Sequence, residues 1–430
     1  MSILNHQGLL GRRDFLRLGV LGTTGLTLAN YLQAAHAGAA HGKAKAAIFV
    51  HLAGGPSHLD TFDPKPEGPT DIKGEFGTIE TKTAGLRISE QLPHLAKCSN
   101  LYSVLRGVSH NLAAHDLGQN YVLSGNRPTA GLEYPSMGAV VTKELTVERD
   151  LTPYVAIPRA NVGPGYLGVA YGAFDTNAAP KAGQPFVVRG LTAPGATTTK
   201  TVSRRHQLLK NLDNRFGSFQ SEDQLLAGLD QFSQKAYDIL QSSRTREAFD
   251  IAKESPEIHK RFGGSSLGQS ALLAARLVEA GVRFVTITDG GWDTHQDNFN
   301  RLKDKQLPGL DQGVSALLTT LQERGLLKET AVIVTGEFGR TPKINKDTGR
   351  DHWPRAMFML LAGGGIRPGQ LIGSSDETGA GPKDTTITPD DVVATLFTSL
   401  GIDTTKEYHT PIGRPVMIVR EGKPIKELIG

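Results

Sequence analysis

The feature that most constrains this chain is the regular alternation of helix and strand signals in its last 170 or so residues. Ser266–Ala280 reads as an amphipathic helix, 281–288 (GVRFVTIT) as a strand, Gly309–Arg324 as a helix and 330–335 (TAVIVT) as a strand. A further strand is predicted at Ala356–Leu361, and a helix at Pro389–Leu400 with Thr388 as its N-cap. Upstream, 46–52 (AAIFVHL) is a short apolar run that stops at Gly54-Gly55-Pro56, and 101–105 (LYSVL) is a second predicted strand. Helices are predicted at Asp116–Leu123, stopped by Gly125, and at Ser136–Leu145. Strands and helices alternating at this spacing bury their apolar faces only as an α/β fold. That fold is an α/β/α sandwich around a mainly parallel central sheet. Residues 151–200, rich in Gly, Pro and Thr, read as peripheral loops and short strands. Residues 202–262, charged and helical in pattern, read as a helical insertion or lid.

Charge and cysteine usage remove whole function classes. The 430 residues carry a formal charge of only +4, with no long basic run and no aromatic-basic stripe, so a nucleic-acid partner is not expected. The one cysteine, Cys98, excludes an internal disulfide and a cysteine-based metal cluster. The N-terminus reads as an address. GRRDFLR at 11–17 precedes an apolar stretch, Leu18 to Leu32, and then a small-residue cleavage pattern, AHA, at 35–37. Its Arg12-Arg13-x-Phe15-Leu16 core resembles the twin-arginine export signal. Residues 1–37 are thus expected to be a signal peptide and 38–430 a single α/β domain in the periplasm. The twin-arginine translocase would be the partner during export. The apolar stretch is too short and too rich in Gly and Thr for a stable membrane span.

Four polar clusters each fall just after a predicted strand, which is where functional loops lie in open parallel sheets. GGPSHLDTFDPKP (54–66) places Ser57, His58, Asp60 and Asp63 in a turn. His58 and Asp60 suit a divalent cation, and the same carboxylates could instead cap backbone amides. The loop 107–125 brings His110, His115 and Asp116 to a helix start, either beside an anion favoured by the free N–H groups there or as an N-capped helix with a surface His. TDGGWDTHQDN (288–298) holds Asp289, Asp293 and His295. Alternate residues of an extended segment share a side, so Asp293 and His295 form a candidate ligand pair. After the fourth strand come Glu337, Arg340, Asp351, His352 and Trp353. Arg340 could offer its fork to an oxyanion, or simply pair with Glu337. No G-x-S-x-G elbow and no G-x-G-x-x-G fingerprint follows the first strand, and H-E-x-x-H and a P-loop are absent, which disfavours a serine hydrolase and a dehydrogenase.

As a set, GGPSHLDTFDPKP, GWDTH, TGEFGRTP, GRDHWP and the late DVVATLFTSLGID resemble one exported bacterial family, the domain-of-unknown-function 1501 family. The blocks keep their order from about 46 to 420. That resemblance implies the alkaline-phosphatase-like superfamily, beside sulfatases and phosphopentomutases. Its members hydrolyse or transfer phosphate and sulfate esters with one or two bound metals. By the same resemblance, Glu337 stands where a metal-binding Asp is expected and Phe338 where His or Asn is expected. Asp293 and His295 resemble the middle ligand pair, and His352 the later His. His115 occupies the place of the usual Ser, Thr or Cys nucleophile, and the sulfatase C-x-P-x-R motif is absent. The first strand lacks its terminal Asp, for which His58 and Asp60 could substitute.

The resemblance therefore implies a metal-dependent hydrolase of sulfate or phosphate esters. His58, Asp60, Asp293, His295, Glu337 and His352 would surround a divalent ion: Zn, Ca, Mg or Mn. His115, Arg340 and Asp116 would serve catalysis, and the substrate would be an anionic ester such as a sulfated or phosphorylated glycan. The alternative is a binding protein on the same fold that has lost turnover and grips an anionic polysaccharide or an exported protein partner.

Overall fold

The computed structural model describes residues 20–21, 26–27, 42–147, 151–188 and 242–429. The expected signal peptide therefore lies almost wholly outside the described residues, as does most of 202–262. The apolar run at the start of the domain forms β1 (Ala46–Ala53), and the second predicted strand forms β2 (Tyr102–Val108). Helix α1 (His115–Ser124) ends on Gly125, which takes the left-handed conformation at φ 69°. Helix α2 (Met137–Glu144) starts on Ser136, whose hydroxyl accepts the Ala139 N–H at 3.3 Å. Two short strands follow, β3 (Tyr154–Ile157) and β4 (Phe174–Asp175). Helices α3 (Ser243–Phe249), α4 (Pro256–Phe262) and α5 (Ser266–Ala280) lead to β5 (Phe284–Gly290). Helix α6 (Leu307–Glu323) leads to β6 (Thr330–Thr335). A small ribbon, β7 (Gly339–Arg340) with β8 (His352–Trp353), precedes β9 (Met357–Ala362), β10 (Leu371–Ile372) and α7 (Pro389–Ser399). The predicted start of α7 holds: the Asp391 carboxylate accepts the Thr388 N–H at 2.9 Å.

The central sheet has eight strands in the order β10-β2-β9-β6-β1-β5-β3-β4. All its pairings are parallel except the two made by β9, which runs against both β6 and β2. The reason lies in the connection. Parallel neighbours need a crossover, and residues 336–356 supply only the β7–β8 ribbon, so the chain returns along β6 in the opposite sense. Side chains alternate between two cores. Ile48, Val50 and Leu52 join α5 and α6 on one face, whereas Ala47 and Phe49 join α1, α2 and α7 on the other. The result is the expected α/β/α sandwich.

The described end of the 202–262 segment belongs to one helical layer of that sandwich. Arg244 on α3 donates to the Ala280 carbonyl at the C-terminus of α5, and Phe262 at the end of α4 is fully buried. This places α3 at the amino ends of the strands, opposite the polar clusters. The carboxyl ends of β1, β5 and β6 stand side by side, because His51 pairs in register with both Thr288 and Thr335. Their loops are thereby forced together.

Candidate metal centre

The turn after β1 is built for close approach. Gly54 has φ 116°, and a Cβ there would lie 2.4 Å from the Asp293 backbone nitrogen. With no side chain in the way, the Gly54 N–H reaches the Glu337 carboxylate, at 2.9 Å to Oε1 and 3.1 Å to Oε2. Glu337 follows β6 by two residues and is fully buried. It also accepts from His51 Nε2 (3.2 Å to Oε2) and His115 Nδ1 (2.6 Å to Oε1). Phe338, next in the chain, lies under the His115 and His352 rings at centroid distances of 5.1 and 4.5 Å.

Three imidazoles have one nitrogen committed in the same way. His115 Nδ1 faces Glu337, and His295 Nδ1 faces Asp351 Oδ1 at 2.6 Å. His352 Nδ1 faces the Ala113 carbonyl at 2.8 Å. A carboxylate or a carbonyl only accepts, so each Nδ1 carries the proton and each neutral ring leaves Nε2 bare. These bare nitrogens converge on Asp293. Its Oδ1 lies 3.1 Å from His295 Nε2 and 3.2 Å from His352 Nε2, and those two nitrogens are 3.0 Å apart. Asp293 Oδ2 lies 3.5 Å from His115 Nε2. His115, Asp293 and His352 each offer one atom such that all three lie within 4.8 Å of one another.

The triangle of Asp293 Oδ1, His295 Nε2 and His352 Nε2 passes a geometric test for a cation. Metal–ligand bonds of about 2.0–2.1 Å set neighbouring donors about 2.8–3.0 Å apart in octahedral shells and about 3.3–3.4 Å apart in tetrahedral ones. The three edges of 3.0, 3.1 and 3.2 Å fall within the span of the two. Without a proton or a cation between them, two imidazole lone pairs and a carboxylate oxygen at these distances repel.

The charges are set by the surroundings. Burial pushes the Asp293 carboxyl up, but the Arg340 guanidinium, 2.6 Å from Oδ1, outweighs it and holds the pKa down to about 2. Burial likewise pushes Glu337 up, and the hydrogen bonds it accepts from His51 and His115 bring it down to about 2. Burial moves His352 below the ordinary imidazole value, which favours the neutral ring. His110 is pushed down to about 4, first by burial; its Nε2 meets the Glu337 carbonyl at 2.8 Å.

The structure brings together five of the predicted residues: Asp293, His295, His352, His115 and Glu337. Glu337 stands behind His115 with both oxygens engaged by other donors, so it orients the ring and is not itself at the Nε2 face. Four residues take other places. Asp60 is held at 2.8 and 3.1 Å by Arg350 and at 3.0 Å by Asn298, all three residues buried, so its oxygens are already spent. His58 is buried with Nε2 on the Gly379 carbonyl, outside the cluster. Asp116 is exposed in the first turn of α1, where an acid complements the helix N-terminus. Arg340 is fully buried and offers no free fork; it donates to the Gly54, Gly55, Trp292 and Arg350 carbonyls and to Asp293. It therefore fastens the β1 turn to Asp293. His51, Asn161 and Gln119 were not legible as site residues, although a lone histidine inside the apolar run of β1 was a usable signal.

The chain belongs to the family described as protein of unknown function, DUF1501, whose profile matches residues 44–429. No curated protein matches it. Among solved structures it is similar to the PsFucS1 sulfatase from Pseudoalteromonas sp., with TM-score 0.40 and 13% identity over 87% of this chain and 70% of that one. It is also similar to the lipoteichoic acid synthase LtaP from Listeria monocytogenes, with TM-score 0.34 and 12% identity over 85% and 74%. A third is the phosphonate monoester hydrolase SpPMH from Silicibacter pomeroyi, with TM-score 0.32 and 11% identity over 89% and 76%.

Proposed function

We propose that this DUF1501 protein is an exported, metal-dependent hydrolase of sulfate or phosphate esters. The observation that carries the metal is the triangle of Asp293 Oδ1, His295 Nε2 and His352 Nε2, with all three imidazoles of the cluster oriented by acceptors on their far nitrogens. Asp293, His295 and His352 would hold a divalent cation, with His115 Nε2 on the other side of the Asp293 carboxylate. Such an ion supplies Lewis-acid polarisation of the ester oxygen and makes water a better nucleophile. The substrate class comes from the resemblance of the sequence blocks to the phosphate- and sulfate-ester superfamily.

The protein's own groups define the rest. No Ser, Thr or Cys stands at the start of α1, so water attacks the sulfur or phosphorus directly, with no seryl ester. His115 has Nδ1–H tied to Glu337 and Nε2 free to take the proton from that water. The ester oxygen departs as the bond to sulfur or phosphorus breaks, and His115 returns the proton to it. Arg340 keeps Asp293 charged and fixed, and Phe338 keeps water from the back of the His115 and His352 rings. Export by the twin-arginine route to the periplasm is part of the same reading and rests on the 1–37 pattern.

The test is hydrolysis of a panel of aryl sulfates and aryl phosphates by the protein loaded in turn with Zn²⁺, Mn²⁺, Ca²⁺ and Mg²⁺. Turnover with at least one ion, abolished by chelation and by His352→Ala, supports the reading. Absence of turnover with every ion, together with measurable binding of a sulfated oligosaccharide, would transfer it to the binding protein on the same fold.

A further inference from the structure

Behind Glu337 runs a second line of polar groups that the proposed chemistry does not use. His51 sits in β1 among apolar neighbours and is fully buried. Both its nitrogens have partners: Nε2 lies 3.2 Å from Glu337 Oε2, and Nδ1 lies 3.2 Å from Asn161 Nδ2. Asn161 Nδ2 also lies 3.2 Å from Gln119 Oε1. Asn161 itself is exposed, so the line runs from the surface to the buried carboxylate.

The direction of this line follows from the donor inventory. An amide nitrogen only donates, so Asn161 gives one hydrogen to Gln119 Oε1 and the other to His51 Nδ1. His51 must then carry its proton on Nε2 and donate it to Glu337. Glu337 Oε1 already receives His115, and among the described residues Oε2 has only the longer leg of the Gly54 N–H besides His51. His51 is therefore the group that pins the second oxygen of the carboxylate.

We propose that His51, with its tautomer set by Asn161, is a positioning residue that fixes the Glu337 carboxylate so that His115 keeps its proton on Nδ1 and presents a bare Nε2. The functional consequence rests on the hydrolase reading; the tautomer consequence does not. Removing His51 should loosen His115 and leave Asp293, His295 and His352 as they are.

The experiment compares the wild type with His51→Leu, His51→Gln and Asn161→Asp. Gln at 51 can still donate to Glu337. Asp at 161 accepts where Asn donates, so it competes with Glu337 for the ring proton of His51 and weakens the donation to Glu337. Asn161→Asp changes only an exposed position, which keeps the test available if His51→Leu does not fold. The first readout is the ¹⁵N spectrum of the His115 ring. A fixed Nδ1-protonated ring is expected in the wild type and His51→Gln, and tautomer averaging in His51→Leu and Asn161→Asp. The second is kcat on the best ester, expected to fall about tenfold to a hundredfold in the latter two with KM within about threefold, as for a slightly misplaced catalytic group. The third is Zn²⁺ affinity, expected to stay within about threefold in all variants because its donors are untouched. An unchanged His115 spectrum in both His51→Leu and Asn161→Asp overturns the proposal. A wild type that binds no cation overturns the hydrolase reading instead and leaves the tautomer result to be judged by itself.

Discussion

Replacing Asp60 by Ala should destabilise the fold while leaving the candidate metal centre intact. Arg350 is fully buried and directs Nε and Nη2 to the two Asp60 oxygens, at 2.8 and 3.1 Å. Its other donations go to the Thr341, Pro342 and Ile72 carbonyls, which are dipoles and not countercharges. Removing Asp60 strands a guanidinium in the interior and also orphans Asn298 Nδ2. Breaking one side of a buried pair costs about 3–5 kcal/mol. In a domain this large, at about 2 °C per kcal/mol, the melting temperature should drop by roughly 6–10 °C. Urea unfolding followed by the fluorescence of the two tryptophans, Trp292 and Trp353, measures the loss. Asp60→Asn, which keeps an acceptor but not the charge, should fall between Ala and the wild type. The double variant Asp60→Leu, Arg350→Met should recover part of the loss, since no charge is then left unpaired. Metal content per folded chain should not change in any of them. Near-native stability in Asp60→Ala, joined to loss of bound metal, would refute this reasoning and return Asp60 to the ligand set.

Two further consequences follow from the geometry. Gly54→Ala places a Cβ on the Asp293 backbone at a φ of 116°, so the turn after β1 must shift; a stability loss of at least about 1–3 kcal/mol and loss of metal binding are expected by calorimetry. Glu254 bridges Arg276 (2.6 Å) and Arg324 (2.7 Å); burial raises its pKa, but the two guanidinium groups outweigh it and leave it below the ordinary value. A lowered folded-state pKa means that the contribution is present above the unfolded carboxylate pKa and is lost as pH falls through the folded value. Acid titration of stability should therefore fall less steeply below about pH 4.3 in Glu254→Gln than in the wild type, while parallel curves would show that the pair contributes nothing.

The fold was legible because its signals are local. Apolar runs, the Gly125 and Ser136 boundaries and the Thr388 cap each predicted an element that the structure contains. The direction of β9 was not local, because it depends on the absence of a helix between Glu337 and Met357. In the site, Asp293 and His295 were legible because both lie on one loop, and His352 and His115 because they follow strand ends. Asp60 was misread because the partner that consumes it, Arg350, lies 290 residues away. Arg340 was misread for the same reason: four carbonyls from three loops and one carboxylate use its donors. His51 went unseen because its neighbours in sequence are all apolar, and only the register of β1 against β6 shows that Glu337 lies beyond its ring.

The proposed convergence of Asp293, His295 and His352 on one cation is best examined by elemental mass spectrometry of the purified protein, beside the double variant Asp293→Asn, His352→Ala with its folding checked by thermal melt. About one divalent ion per chain in the wild type and none in the folded variant is the predicted result. No ion in the wild type after growth and dialysis with Zn²⁺, Mn²⁺, Ca²⁺ and Mg²⁺, or an equal ion content in the two proteins, would contradict it.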